Sequence, residues 1–86
     1  MAIDELPEIG WTQRLKTNRV DECIALREIG EVTFFPGQKR VVYVGGVLDG
    51  QLYFSYGLDV HNHLEPPIQT FPLRVISSYT LLKAAS

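Results

Sequence analysis

A chain of 86 residues, of which 45% are apolar or aromatic, predicts a single domain with one hydrophobic core rather than a disordered segment. Its eight basic and ten acidic side chains give a net charge of −2. Nucleic-acid binding depends on an excess of basic residues, so a nucleic-acid partner is not expected. A core this small leaves apolar residues at the surface, which favours a homo-oligomer.

Cys23 is the only cysteine, so a disulfide within the chain and a multi-cysteine zinc site are both excluded. Small secreted domains usually depend on disulfides, and the acidic residues near the start of the chain are unlike a signal peptide. No apolar run approaches the ~20 residues of a membrane-spanning helix. The sequence therefore predicts a cytoplasmic protein with no membrane partner and no cofactor.

The first 17 residues of the single predicted domain, 1–86, show no clear apolar period. Pro7 and Gly10 interrupt the spacing of the apolar residues. We therefore expect residues 1–17 to form an irregular arm, with Trp11 and its apolar neighbours packed onto the domain or onto a neighbouring subunit.

Residues 19–29 are flanked by residues typical of the two ends of a short helix. Asn18 can cap its first amides, Asp21 lies in the first turn, and Gly30 supplies a left-handed exit residue. The apolar spacing inside this segment is poor, so a strand through residues 23–26 remains the alternative.

From Glu31 onward the sequence predicts strands. The clearest signal is Asp49-Gly50, a dipeptide typical of two-residue hairpins. That loop would place Val47 opposite Leu52 and Gly45 opposite Phe54. Because side chains alternate along a strand, one face of the hairpin should enter the core. The members of this predicted core face are Val41, Tyr43, Val47, Leu52, Phe54, Tyr56 and Leu58.

Two further short strands are expected over residues 68–71 and 77–82, after a polar loop. The sequence thus predicts a mainly β (α+β) fold, a small antiparallel meander of about five strands with one short N-terminal helix. Tight turns and glycines within strands favour curling into an SH3-like or OB-like barrel. A flat sheet with the helix packed across it is the alternative.

The segment 59–67 contains the pattern Asp59-Val60-His61-Asn62-His63-Leu64, in which both imidazoles lie on one side of an extended chain. It resembles the Asp-x-His-x-His-Leu stretch of cyclic amidohydrolases such as dihydroorotases, and that resemblance implies metal binding by His61 and His63. The resemblance is confined to this segment, whereas that family is a barrel of about 250 residues, so we do not infer homology. We expect ordinary loop histidines and no metal centre.

The catalytic residues, if there are any, are not identifiable from sequence, and Cys23 is expected to be a small buried apolar residue. We expect a non-enzymatic binding or assembly module that forms a homo-oligomer and binds a protein or small-molecule ligand. The alternative is a small enzyme or metal-dependent binder centred on the two histidines. A third hypothesis is a nucleic-acid binder using Arg14, Lys16, Arg19, Lys39 and Arg40. The candidate ligand-binding residues are Trp11, Tyr53, His61 and His63.

Overall fold

A computed structural model describes residues 5–34 and 36–85. Its helix α1 is followed by five strands, with one 3-10 helix before β1 and another before β5. In chain order the elements are α1 (Glu5–Leu15), a 3-10 helix (Val20–Cys23), β1 (Glu28–Phe34), β2 (Gln38–Leu48), β3 (Gln51–Ser55), β4 (Gln69–Pro72), a 3-10 helix (Leu73–Val75) and β5 (Ile76–Ala84). The strands form one antiparallel sheet, which confirms the predicted mainly β fold with one short helix.

The order of strands across the sheet is β4-β3-β2-β1-β5. The first four strands form the predicted meander, whereas β5 crosses back to pair with β1. Only residues 73–75 separate β4 from β5 in the chain, yet these two strands are the opposite edges of the sheet. The sheet is therefore open, and the predicted barrel is not confirmed.

The hairpin between β2 and β3 turns at Asp49-Gly50, as predicted. Both residues have positive φ, 54° and 74°, the conformation of a type I′ turn. Val47 pairs with Leu52 as expected from a two-residue loop.

We expect Gly50→Val to reduce the free energy of unfolding by at least about 1 kcal/mol, because a β-branched residue resists positive φ. Gly50→Asn should lose less, since asparagine tolerates the left-handed region. Thermal unfolding of both variants beside the wild type tests the difference. Equal melting temperatures for all three proteins would contradict this account of the turn.

Beyond Gly46 the predicted register of the hairpin is wrong. The pairing shifts by one residue between Val44 and Gly46, so Phe54 lies opposite Val44 instead of Gly45. Such a bulge reverses the alternation of side chains in the strand that carries it. Val42 and Val44 are accordingly buried, and Val41, which was predicted to enter the core, is 57% exposed.

The N-terminal segment is a helix over Glu5–Leu15, so the predicted irregular arm is wrong there; residues 1–4 lie outside the described residues. Pro7 falls in the first helical turn, where its missing N–H breaks no intrahelical bond. Leu15 is fully buried, and Trp11 is nearly so. Packing of the helix against β2 and β5 therefore outweighs its weak apolar period.

The predicted helix over residues 19–29 is also wrong. Only Val20–Cys23 are helical, in a single 3-10 turn, and β1 has begun by Glu28. The Asn18 cap does not form. Instead, the Thr17 hydroxyl accepts a hydrogen bond from the amide of Arg19 and donates one to the Glu22 carboxylate. The alternative strand over residues 23–26 does not form either, although Ala25 makes an isolated bridge to His63.

One apolar core lies between α1 and the covered face of the sheet. Its buried members are Trp11, Leu15, Val32, Phe34, Val42, Val44, Val47, Leu52, Phe54 and Ile76. Cys23 is fully buried beside Gly46, as predicted, and burial raises the pKa of its thiol. Within residues 5–34 and 36–85, no helix has the length and apolar character to span a membrane.

Candidate functional site

Trp11, a candidate ligand-binding residue, packs onto the domain, as expected for its segment. Its indole stacks on the ring of Tyr79 in β5, with centroids 4.4 Å apart and an interplanar angle of 11°. Only 8% of the residue is exposed. The stack therefore attaches α1 to the sheet and presents no surface to a ligand.

A buried polar cluster lies next to this stack. Glu28 is 3% exposed and accepts hydrogen bonds from the Arg14 guanidinium and the Tyr79 hydroxyl. Burial raises the pKa of the Tyr79 hydroxyl, and the bond to Glu28 raises it further. No local sequence signal reveals this cluster, because its members come from α1, β1 and β5. Its role is to fix the helix on the sheet.

Tyr53 lies in β3, half-buried, opposite Gly46 on one side and Thr70 on the other. The pairing with Gly46 is as predicted. The space that a Gly46 side chain would occupy is bordered by Leu15, Thr17 and Cys23.

His61 and His63 lie in a narrow loop that the backbone holds firmly. The Asp59 amide donates to the His63 carbonyl at 2.9 Å. One Asp59 carboxylate oxygen accepts the amides of His61 and His63 at 2.8 and 2.9 Å. These two amides hold the pKa of the Asp59 carboxyl below its ordinary value. The amide of Leu64 then donates to the Ile24 carbonyl, which ties the loop to the segment before β1.

The two imidazoles of this loop are exposed, with ring centroids 6.4 Å apart. Throughout residues 5–34 and 36–85, no group of three histidine, cysteine, aspartate or glutamate side chains could hold a metal ion. Asp59 is already used to fix the loop backbone. The geometry therefore offers two exposed imidazoles for contact with a partner, without a third ligand in the described chain.

An open hollow of about 410 Å³ lies between the end of α1 and the tip of the β2–β3 hairpin. Lys16, Asn18 and Asp49 line it, and all three are exposed. A small-molecule site normally directs a few polar groups into an enclosed apolar pocket. This hollow lacks that enclosure, so a small-molecule site is not favoured here.

The outer edge of β5 is an accessible part of the sheet. β5 is nine residues long and pairs only with β1. Every residue from Thr80 to Ala85 is exposed. Leu81 and Leu82 are 45% and 51% exposed, although leucine is among the residues most often buried. We call the segment Thr80–Ala85 the β5 edge.

The opposite edge of the sheet is much less available. β4 has four residues and ends at Pro72, which has no N–H to donate. Its apolar side chain, Phe71, packs edge-on against Phe34 with ring centroids 4.5 Å apart. A short strand that ends in proline is a usual way to blunt a sheet edge.

Sequence reasoning did not identify the β5 edge as a site, although one signal was present. Two consecutive leucines lay in the predicted strand 77–82. Side chains alternate in a strand, so a sheet with one covered face can bury only one of two neighbours. The second leucine has to be exposed, or it has to be covered by something else.

No protein-family model matches this chain, and comparisons with curated proteins and with solved structures find no similar protein.

Proposed function

We propose that this protein is a small non-enzymatic assembly module that forms a homo-oligomer through the β5 edge. The single observation that supports the proposal is an unpaired edge strand with two half-exposed leucines. The proposal also includes a cytoplasmic location, because Cys23 is a free buried thiol.

Two physical terms favour association at this edge. The outward-facing amides and carbonyls of an edge strand are available to pair with another strand. Covering the exposed halves of Leu81 and Leu82 adds roughly 1 kcal/mol for each side chain. Lys83 is the only charged residue in β5, so electrostatic repulsion against a second strand is small.

The protection of this edge is limited. Besides Lys83, it consists of two irregularities in the pairing of β5 with β1, one of which leaves Leu82 without a partner residue in β1. β4 has stronger protection at the other side of the sheet, in its shortness and in Pro72. This contrast supports β5 as the surface of association.

The exposed side chains of His61 and His63 are kept as proposed contacts for a protein ligand. They lie on a loop that hydrogen bonds hold in place, so a partner would meet them in a fixed arrangement. Chemistry at this loop is not favoured by the observed side chains, since only two imidazoles are available for a metal.

Sedimentation velocity over the micromolar range tests the assembly. We expect the wild type to sediment as a dimer or larger species, and Leu82→Lys to shift the protein toward monomer. A lysine at a sheet edge opposes pairing, and this substitution also removes apolar surface that association would cover. The matched control is Val60→Lys, because Val60 is 92% exposed at the tip of the histidine loop.

The control variant should associate as the wild type does. A wild-type protein that is monomeric over the whole concentration range would refute the assembly. Equal loss of association in Leu82→Lys and Val60→Lys would show that β5 is not the surface.

A further inference from the structure

We infer that the strand which covers the β5 edge is β5 of a second copy, paired antiparallel about a two-fold axis at Leu82. This inference rests on the proposed function. It names the partner strand and the symmetry, and it predicts a closed dimer whose two sheets join into one.

The two edges of the sheet differ in length. Each copy offers only two sheet edges, β4 with four residues and β5 with nine. Pairing β5 with β4 would give a ladder of at most four residues, and Pro72 would contribute no N–H. Pairing β5 with itself can use exposed residues on both sides of Leu82, the residue that has no partner in β1, so this ladder is not limited to four residues.

The side chains that would meet in this dimer are compatible with each other. With Leu82 on the axis, Leu81 of each copy lies opposite Lys83 of the other, and Thr80 lies opposite Ala84. The aliphatic stem of Lys83 can cover Leu81 while its ammonium group remains in water. No two like charges face each other directly, and both leucines lose exposed surface.

Pairing of β5 with itself also closes the assembly. A two-fold contact uses the same patch on both copies, and it leaves neither β5 edge free after one association step. A contact between β5 and β4 would leave a free edge on each end of the pair and would continue to a ring or a filament. The blunted β4 edge is consistent with a chain that stops at two copies.

Introduced cysteines test the axis, because the native Cys23 is buried and each variant then has one accessible thiol. Leu82→Cys places two thiols face to face across the axis, within the reach of a disulfide. Two thiols held together in a complex have an effective concentration in the millimolar range, so cross-linking at micromolar protein should be about 100-fold faster than for Val60→Cys. An equimolar mixture of Thr80→Cys and Ala84→Cys tests the register.

Two further measurements separate the possible failures. In sedimentation, the wild-type mass should reach a plateau at two copies. If the wild type associates but Leu82→Cys forms no covalent dimer, and a mixture of Thr70→Cys and Leu82→Cys does, then β4 is the partner and the two-fold pairing is wrong. A wild-type assembly with a mass above two copies in sedimentation would by itself overturn the closed dimer. A monomeric wild type would overturn the proposed assembly together with this inference.

Discussion

Gly45→Ala is expected to destabilise the protein by at least about 3 kcal/mol and to lower its melting temperature by about 15 °C. A Cβ atom at this position would lie 2.5 Å from the carbonyl carbon of Cys23 and closer still to its oxygen. Both atoms belong to the backbone, which no rotamer change can move. The 3-10 turn would have to leave the sheet, and it would expose the buried Cys23 thiol.

Two other glycines provide controls for this substitution. At Gly46 an added Cβ would lie 3.2 Å from the Leu15 carbonyl oxygen, so Gly46→Ala should cost less. At Gly10, in α1, nothing lies within 4 Å, and alanine should stabilise the helix by about 0.5–1 kcal/mol. Chemical denaturation of the three variants checks the order. A Gly45→Ala protein as stable as Gly46→Ala would contradict the close approach of Cys23.

The second large effect is expected for Gly30→Ala, at about 2–3 kcal/mol. The new Cβ would lie 2.5 Å from the Tyr79 hydroxyl oxygen and 2.6 Å from its Cζ atom. The ring cannot move away easily, because Trp11 stacks on it and its hydroxyl is bonded to Glu28. Accommodating the methyl group would therefore disturb the attachment of α1.

A double-mutant cycle with Tyr79→Ser isolates this effect. Gly30→Ala should cost much less in the Tyr79→Ser background, where no ring lies over the glycine. Since Trp11 is the only tryptophan, its fluorescence also reports whether the stack is lost in Gly30→Ala. Additive losses of stability in the double variant would show that the two positions are not coupled through the ring.

Local signals in the sequence predicted the strands better than the helix. Asp49-Gly50 requires positive φ at two residues, so it fixes a turn wherever strands flank it. Asn18 and Gly30 are typical of the two ends of a helix, and they led to the wrong prediction of a helix over residues 19–29. Gly30 is instead needed for the close approach of Tyr79, 49 positions later in the sequence. A glycine can end a helix or allow another side chain to approach the backbone closely, and the local sequence does not distinguish these two roles.

The bulge at Gly45 and the candidate site could not be predicted for the same kind of reason. Gly45 and Gly46 are adjacent, and the choice of which glycine is unpaired depends on the approach of Cys23. The exposure of Leu81 and Leu82 depends on β5 being an edge, and that depends on its pairing with β1. Strand order is a property of the whole sheet, so it cannot be predicted from the residues around the two leucines.

The pairing of β1 with β5 also determines the order in which the sheet can fold. The hairpins β1–β2 and β2–β3 join neighbouring segments, whereas the β1–β5 ladder joins Glu28 to Ala84. Closing so long a loop costs conformational entropy before any contact repays it, so this ladder should form late. Until β5 arrives, β1 is itself an unpaired edge next to the growing core. A nascent chain that ended before residue 76 would therefore expose β1 as an unpaired edge strand in place of β5, and aggregation should be most severe for chains truncated at that point.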